Sequence, residues 1–183
     1  PDGQESVAAL LRAKPDAAVV KVAAEELTQA NHPGVTRVLV EIAREPPPGA
    51  TGFAVAAAAA LAAAASGGAP AVKELTLLLT PALVERDEPP ELALVLVDLL
   101  VRARQKSDPA RLVELWARAK NPHVRERLYR AIATSKDREL LDLAIARARS
   151  EAERKDLTTA RLRAKSTKKA AKTTPPKRAG RRA

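Results

Sequence analysis

The stretch Asn121–Ala148 reads NPHVRERLYRAIATSKDRELLDLAIARA, and its reading decides the fold. Asn followed by Pro is a helix start: the Asn side chain caps free backbone N–H groups, and proline is tolerated at the first helical position. Val124, Leu128, Ala131 and Ile132 then recur on one stripe, while Arg125, Arg127 and Arg130 fall off it. The polar break TSKD follows. Asp137 caps a second run, in which Leu140, Leu141, Ala144, Ile145 and Ala148 form a wide apolar stripe. Two short helices joined by so short a loop lie nearly antiparallel, and each must bury its stripe against further helices.

Working outward, the same grammar repeats. Ser107, Asp108 and Pro109 open ARLVELWARAK, with Leu112, Leu115, Trp116 and Ala119 on one side. Pro89–Pro90 opens ELALVLVDLLVRARQK, which is apolar nearly all round and therefore sandwiched. Thr80–Pro81 is a cap followed by a first-turn proline. Gly67–Gly68 closes the run FAVAAAAALAAAAS, and Pro70 restarts the chain as AVKELTLLL. Upstream, SVAALLRAK, DAAVVKVAAEELTQA and VTRVLVEIARE are separated by Pro15, by NHPG and by Pro46–Pro48. Downstream, Asp137 is read as capping one long helix through Lys165. No strand alternation competes, so the expectation is an all-α chain.

Composition agrees. Of the 183 residues, 46% are apolar, mostly Ala, Leu and Val, and the aromatics are Phe53, Trp116 and Tyr129. The absence of cysteine excludes disulfides, thiolate metal sites and cysteine nucleophiles. No methionine is present, which reads as a processed product or a piece of something longer. From Ala54 to Ala65 the chain is alanine except for Val55 and Leu61. The helical part of this run is shorter than the roughly 20 residues a membrane span needs, and alanine drives insertion weakly. A helix closely approached by its neighbours is expected instead, with no membrane span.

The hairpin at Asn121–Ala148 is similar to a HEAT repeat unit. Asn121, Pro122, Val124 and Arg125 fall on the start of that signature, before the Ala/Leu-periodic helix, polar turn and second helix. Asn31, Pro33, Val35 and Arg37 echo it with a different spacer, and the segment between the two holds about two repeats of the usual ~40–47 residues. The hairpin also resembles, more loosely, the superhelical C-terminal domains of some large metallopeptidases. The resemblance implies a right-handed stack of antiparallel helical hairpins, a HEAT-like α-solenoid, over residues 1–160, truncated at its N-terminus. It implies a protein-binding scaffold rather than an enzyme.

A search for chemistry supports that expectation. His32 and His123 sit at helix starts beside proline, without the spacing of a metal or catalytic pair. There is no nucleophile elbow, phosphate loop or dinucleotide fingerprint. The acidic cluster VERDEPPE is interrupted by proline and reads as a solvated loop. Some DNA glycosylases for alkylated bases are built of HEAT-like repeats, with Trp and an acid near the lesion. Trp116 and Glu114 are the residues here that match in type, but Trp116 falls on the apolar stripe. No catalytic residue, metal site or cofactor is expected.

Charge points to a second partner. Net charge is +10, and the 32 basic residues include ten from Arg161 onward: Arg161, Arg163, Lys165, Lys168, Lys169, Lys172, Lys177, Arg178, Arg181 and Arg182. No acid follows residue 160, so residues 161–183 are expected to be a disordered basic tail binding DNA or RNA, or another polyanion, without sequence preference. Its composition resembles the tails of linker histones. Residues 1–100 carry 7 basic and 13 acidic groups, a net of −6, and residues 101–149 carry 13 and 6, a net of +7. Arg118, Arg125, Arg127 and Arg130 in that second region are the candidates for a second basic face. The leading reading is a scaffold with a polyanion-binding tail. A nucleic-acid-binding accessory protein using tail and basic face comes next, and a HEAT-type glycosylase third. A cytoplasmic location is expected, and the protein partner is unidentified.

Overall fold

A helix of ten or twelve residues is marginal alone, so each of these holds its shape by burying a stripe on its neighbours. The computed structural model describes residues 33–48, 51–87, 91–102 and 108–172, with side chains through Ala164, and isolated helical positions among residues 9–22. The helices expected before residue 33 otherwise lie outside the described residues, as do His32 and Asn31. The described chain is all-α: α1 (Pro33–Arg44), α2 (Gly52–Leu77), α3 (Pro81–Val84), α4 (Glu91–Arg102), α5 (Pro109–Arg118), α6 (Pro122–Ala133), α7 (Arg138–Arg147) and α8 (Glu151–Lys172).

The starts follow from the caps. Thr80, Asp108, Asn121 and Asp137 each accept a hydrogen bond from a backbone N–H of the first turn they precede. Proline occupies the first turn of α3, α5 and α6, where its missing N–H costs nothing. Within α2 the backbone breaks at Gly68, with φ 56° and ψ −146°, two residues before Pro70. Pro70 removes one helical N–H and its ring crowds the carbonyl four residues back, and glycine absorbs the resulting turn.

One expectation needs correction. Asp137 does not cap a single long helix. The run ends at Arg147 and α8 begins at Glu151. Ser150 Oγ accepts from Glu153 N at 3.1 Å, and Glu153 Oε2 accepts from Arg149 N at 2.8 Å. This is a near relative of the capping box, with the acid reaching one residue further back. The boundary drawn after residue 160 falls within α8. The helix continues to Lys172, and Leu157 and Ala164 are buried in the core. Residues 161–172 therefore extend the helical body, and residues 173–183 lie outside the described residues.

The helices pack in a regular order. Besides the neighbouring pairs α1/α2, α5/α6, α6/α7 and α7/α8, contacts join next-but-one helices: α2 with α4, α4 with α6, α6 with α8, and likewise α3 with α5 and α5 with α7. Trp116, Leu115, Leu128, Ile132 and Leu141 are buried together with Leu112, and Ile145 packs half-buried against them. The alanine helix α2 buries Val55, Ala56, Ala59, Ala60 and Ala63 against its partners. It is the described helix long and apolar enough to cross a membrane, and its buried face is covered by α1 and α4 within the protein. Small residues make this approach close. A Cβ added at Gly67 would lie 2.6 Å from Thr36 Cγ2 on α1, and Ser66 and Thr36 share a 2.9 Å hydrogen bond.

Two substitutions test this packing. Trp116→Ala should cost about 3–5 kcal/mol in chemical denaturation, from lost burial plus a cavity. Gly52→Ala at the start of α2 would ordinarily be neutral or helpful, but the added Cβ falls 1.8 Å from the Pro47 carbonyl oxygen. We therefore expect a lowered melting temperature, equivalent to roughly 1–3 kcal/mol. An unchanged or raised value would contradict the close approach of Pro47 to α2.

Candidate interaction surfaces

The four arginines proposed as a basic face come from α5 and α6, and the fold gives each a carboxylate. Arg118 Nε lies 2.6 Å from Glu85 and its Nη1 3.2 Å from Glu114. Arg127 is bound to Asp98 on α4. Arg130 pairs with Glu126 one turn earlier at 2.7 Å. Arg125 is the most enclosed. It donates to Glu153 at 2.7 Å and to the Trp116 carbonyl at 3.1 Å, and its guanidinium carbon sits 4.8 Å from the Trp116 ring centroid. Each of the four guanidiniums thus has a carboxylate partner within the chain, with the Arg125–Glu153 pair enclosed and Arg118, Arg127 and Arg130 still about half or more open to solvent.

Arg111 was not singled out from the sequence, yet it acts in the same way. Its Nη2 donates to the carbonyls of Thr76 and Leu79, each at 3.0 Å, where α2 ends and backbone acceptors are left over. Nothing in the local sequence marks it, since the partners lie more than thirty residues away. Asn121 is likewise more than a cap. Its Oδ1 accepts from His123 N at 3.0 Å, while its Nδ2 donates to the Asp87 carbonyl at 2.7 Å, and the side chain is buried. The amide supplies the acceptor and the donor from two separate atoms, which a carboxylate could not do. His123 itself is exposed and contributes its backbone N–H to the cap, as expected of a turn residue.

The basic residues assigned to the tail divide into three groups. Arg161 is in the body: it pairs with Asp142 on α7. Arg163 is exposed on α8. Lys165, Lys168, Lys169 and Lys172 lie on the last turns of α8, whose side chains are not described. Lys177, Arg178, Arg181 and Arg182 lie outside the described residues.

Trp116 lines a small cavity of about 260 Å³ with Tyr129, Arg125, Glu126, Glu153 and Asp156. The indole is fully buried, and its ring centroid is 5.9 Å from that of Tyr129. Glu114, its suggested acidic companion, is bound to Arg118 at the surface. No nucleobase can reach an indole so enclosed without displacing core residues. Burial, the Asp156 and Glu153 charges, a hydrogen bond with Asp156 and the Glu126 charge raise the Tyr129 hydroxyl above its usual pKa. Burial pulls the Glu153 carboxyl upward. The Arg125 hydrogen bond, the Arg149 N–H, the Arg125 charge and the Ser150 backbone outweigh it and hold Glu153 below the usual carboxylate range. Among the described residues, no group of three His, Asp or Glu side chains is placed to hold a metal ion.

Because the Glu153 pKa is lower in the folded state, its contribution to stability is complete above the unfolded carboxylate pKa. That contribution fades as pH falls through the folded value. Glu153→Gln should therefore flatten the acid limb of the melting-temperature profile while lowering stability at neutral pH. Arg125→Ala should cost about 2–3 kcal/mol at pH 7, since it removes charged hydrogen bonds and leaves Glu153 partly buried without its partner. An acid limb identical to that of the parent would show that Glu153 is not held by Arg125.

With this geometry in hand, comparison with known proteins adds no identity: no family model matches the chain, and neither a curated protein nor a solved structure is significantly similar to it.

Proposed function

We propose that this chain is a non-enzymatic HEAT-like α-solenoid scaffold that binds a protein partner, with a basic C-terminal segment that engages polyanions. The observation that carries the reading is the next-but-one packing of α2, α4, α6 and α8 in one row and α3, α5 and α7 in another. Stacked hairpins contact one another in that order, and they leave long ridged surfaces for a partner. A closed four-helix bundle converges instead on one shared core. The capped starts at Asn121 and Asp137 fit the hairpin unit that the sequence resembles.

A second reading, a nucleic-acid-binding accessory protein, draws on the excess of positive charge after residue 160. The internal pairing of Arg118, Arg125, Arg127 and Arg130 favours a version of it that depends on the C-terminal segment alone. The glycosylase reading loses its support with the burial of Trp116.

Salt separates the two leading readings. The immobilised intact chain should retain its protein partner from cell extract at about 0.5 M salt, where polyanion binding is screened. Retention only below that salt would overturn the scaffold reading. Duplex DNA should bind the intact chain without sequence preference. A chain ending at Lys172 lacks the four basic residues Lys177, Arg178, Arg181 and Arg182, so the slope of log affinity against log salt should become shallower by up to about 4. Stacking itself has a separate check. Removing α7 and α8 by ending the chain at Ala133 should lower stability but leave α1–α6 helical by circular dichroism. Complete unfolding would favour a single indivisible core.

A further inference from the structure

A groove of about 610 Å³ runs between the end of α1, the last turn of α2, α3 and the start of α4. Pro46, Phe53, Leu78, Leu83 and Leu92 line it. Leu77 stands on its edge with 59% of its surface exposed, so the apolar lining of the groove continues onto the surface. The only charged residues that line the groove are Arg44 and Arg86. Their sign is opposite to that of the surrounding sequence, since residues 1–100 carry 7 basic and 13 acidic groups. Arg44 is already paired with Glu74 at 2.6 Å. Arg86 has a ring rather than an acid beside it. Its guanidinium lies 4.5 Å from the Phe53 ring centroid, and no carboxylate is paired with it among the described residues. Contact with a ring face leaves the N–H donors of a guanidinium available in its plane.

We infer that this groove is the docking site for an acidic, leucine-rich segment of the protein partner: leucine side chains sit on Phe53, Leu77, Leu78 and Leu83, and a carboxylate of the segment binds Arg86. Charge complementarity selects the occupant. A basic segment would meet the guanidinium of Arg86, since Arg44 is already answered by Glu74, and a neutral apolar one would leave the Arg86 donors unused. Phe53 fixes the guanidinium in advance, so less side-chain freedom is lost when the carboxylate arrives. The inference rests on the protein-binding reading and gives it a place and a chemistry.

The test uses the full-length chain and a fluorescein-labelled peptide, acetyl-Asp-Leu-Glu-Asp-Leu-Leu-amide, followed by fluorescence anisotropy. A twin peptide carries Asn and Gln in place of the acids. The basic C-terminal segment will also attract the acidic peptide, so the deciding readout comes from variants that leave that segment intact. Arg86→Ala and Leu77→Asp should each weaken binding by about fivefold or more, as should the twin peptide. Both positions are exposed, so the melting temperature should hold. Leu143→Asp on α7, away from the groove, should leave affinity unchanged. Absence of saturable binding at about 1 mM peptide would overturn the inference. So would equal binding of the twin, or affinity indifferent to both Arg86→Ala and Leu77→Asp. Retention of a protein partner at high salt alongside a failed peptide test would remove this groove and leave the scaffold reading in place.

Discussion

The guanidinium of Arg125 is the point on which the C-terminal half of the molecule depends. It belongs to α6, it covers the ring and the carbonyl of Trp116 on α5, and it binds Glu153 on α8. Three helices are therefore tied through one planar group whose donors and face are used at once, which a lysine could not do. Trp116 is the largest fully buried side chain, and its position is set from one side by Arg125 and from another by Tyr129. Glu153 in turn holds the start of α8 by accepting from Arg149 N. Cap, ion pair and core are consecutive parts of one arrangement, so a fault in any of them reaches the others.

The same economy explains the charge gradient along the sequence. An acidic first hundred residues and a basic next fifty look, on paper, like two surfaces with different partners. In the fold Arg118 reaches back to Glu85, Arg127 to Asp98, and Arg111 to the carbonyl end of α2. The later helices carry the cations that the earlier ones accept. Such exposed pairs add little stability one at a time. Their effect is rather on register and on the exterior: they penalise misplaced packing and leave less uncompensated charge on the body. After residue 160 the sequence carries ten basic residues and no acid, and of these Arg161 is answered from α7 by Asp142.

What was legible in the sequence was what is local. Asn121, Asp108, Thr80 and Asp137 announced helix starts because capping acts within three residues. Gly68 and Pro70 announced the break in α2 for the same reason. Trp116 was legible as core from its place on a stripe. The break before α8 was legible too and was missed: Ser150 followed three residues later by Glu153 is a start signal, hidden inside a run of good helix formers. The i,i+4 pairs Arg118–Glu114 and Arg130–Glu126 were legible from spacing. The role of Arg111, the second hydrogen bond of Asn121 and the pairs Arg118–Glu85, Arg125–Glu153 and Arg127–Asp98 were not, because each depends on a partner about thirty residues away. Helical periodicity places a side chain on a face but does not say which distant carboxylate will come to meet it.

The groove has its origin in the same local features. The first part of α2 is alanine, so α1 and α4 can approach it closely and cover it on two sides. Beyond Gly68 the helix changes direction, and its last residues are larger, ending at Leu77. Cover for that end falls to α3, which is four residues long and packs on α5. So short a helix cannot shield both α5 and the end of α2. Arg111 satisfies the terminal carbonyls of Thr76 and Leu79 and leaves no polar reason for the chain to close over them. The apolar edge at Leu77 thus follows from a change of residue size at a glycine, followed by a helix too short to repair it.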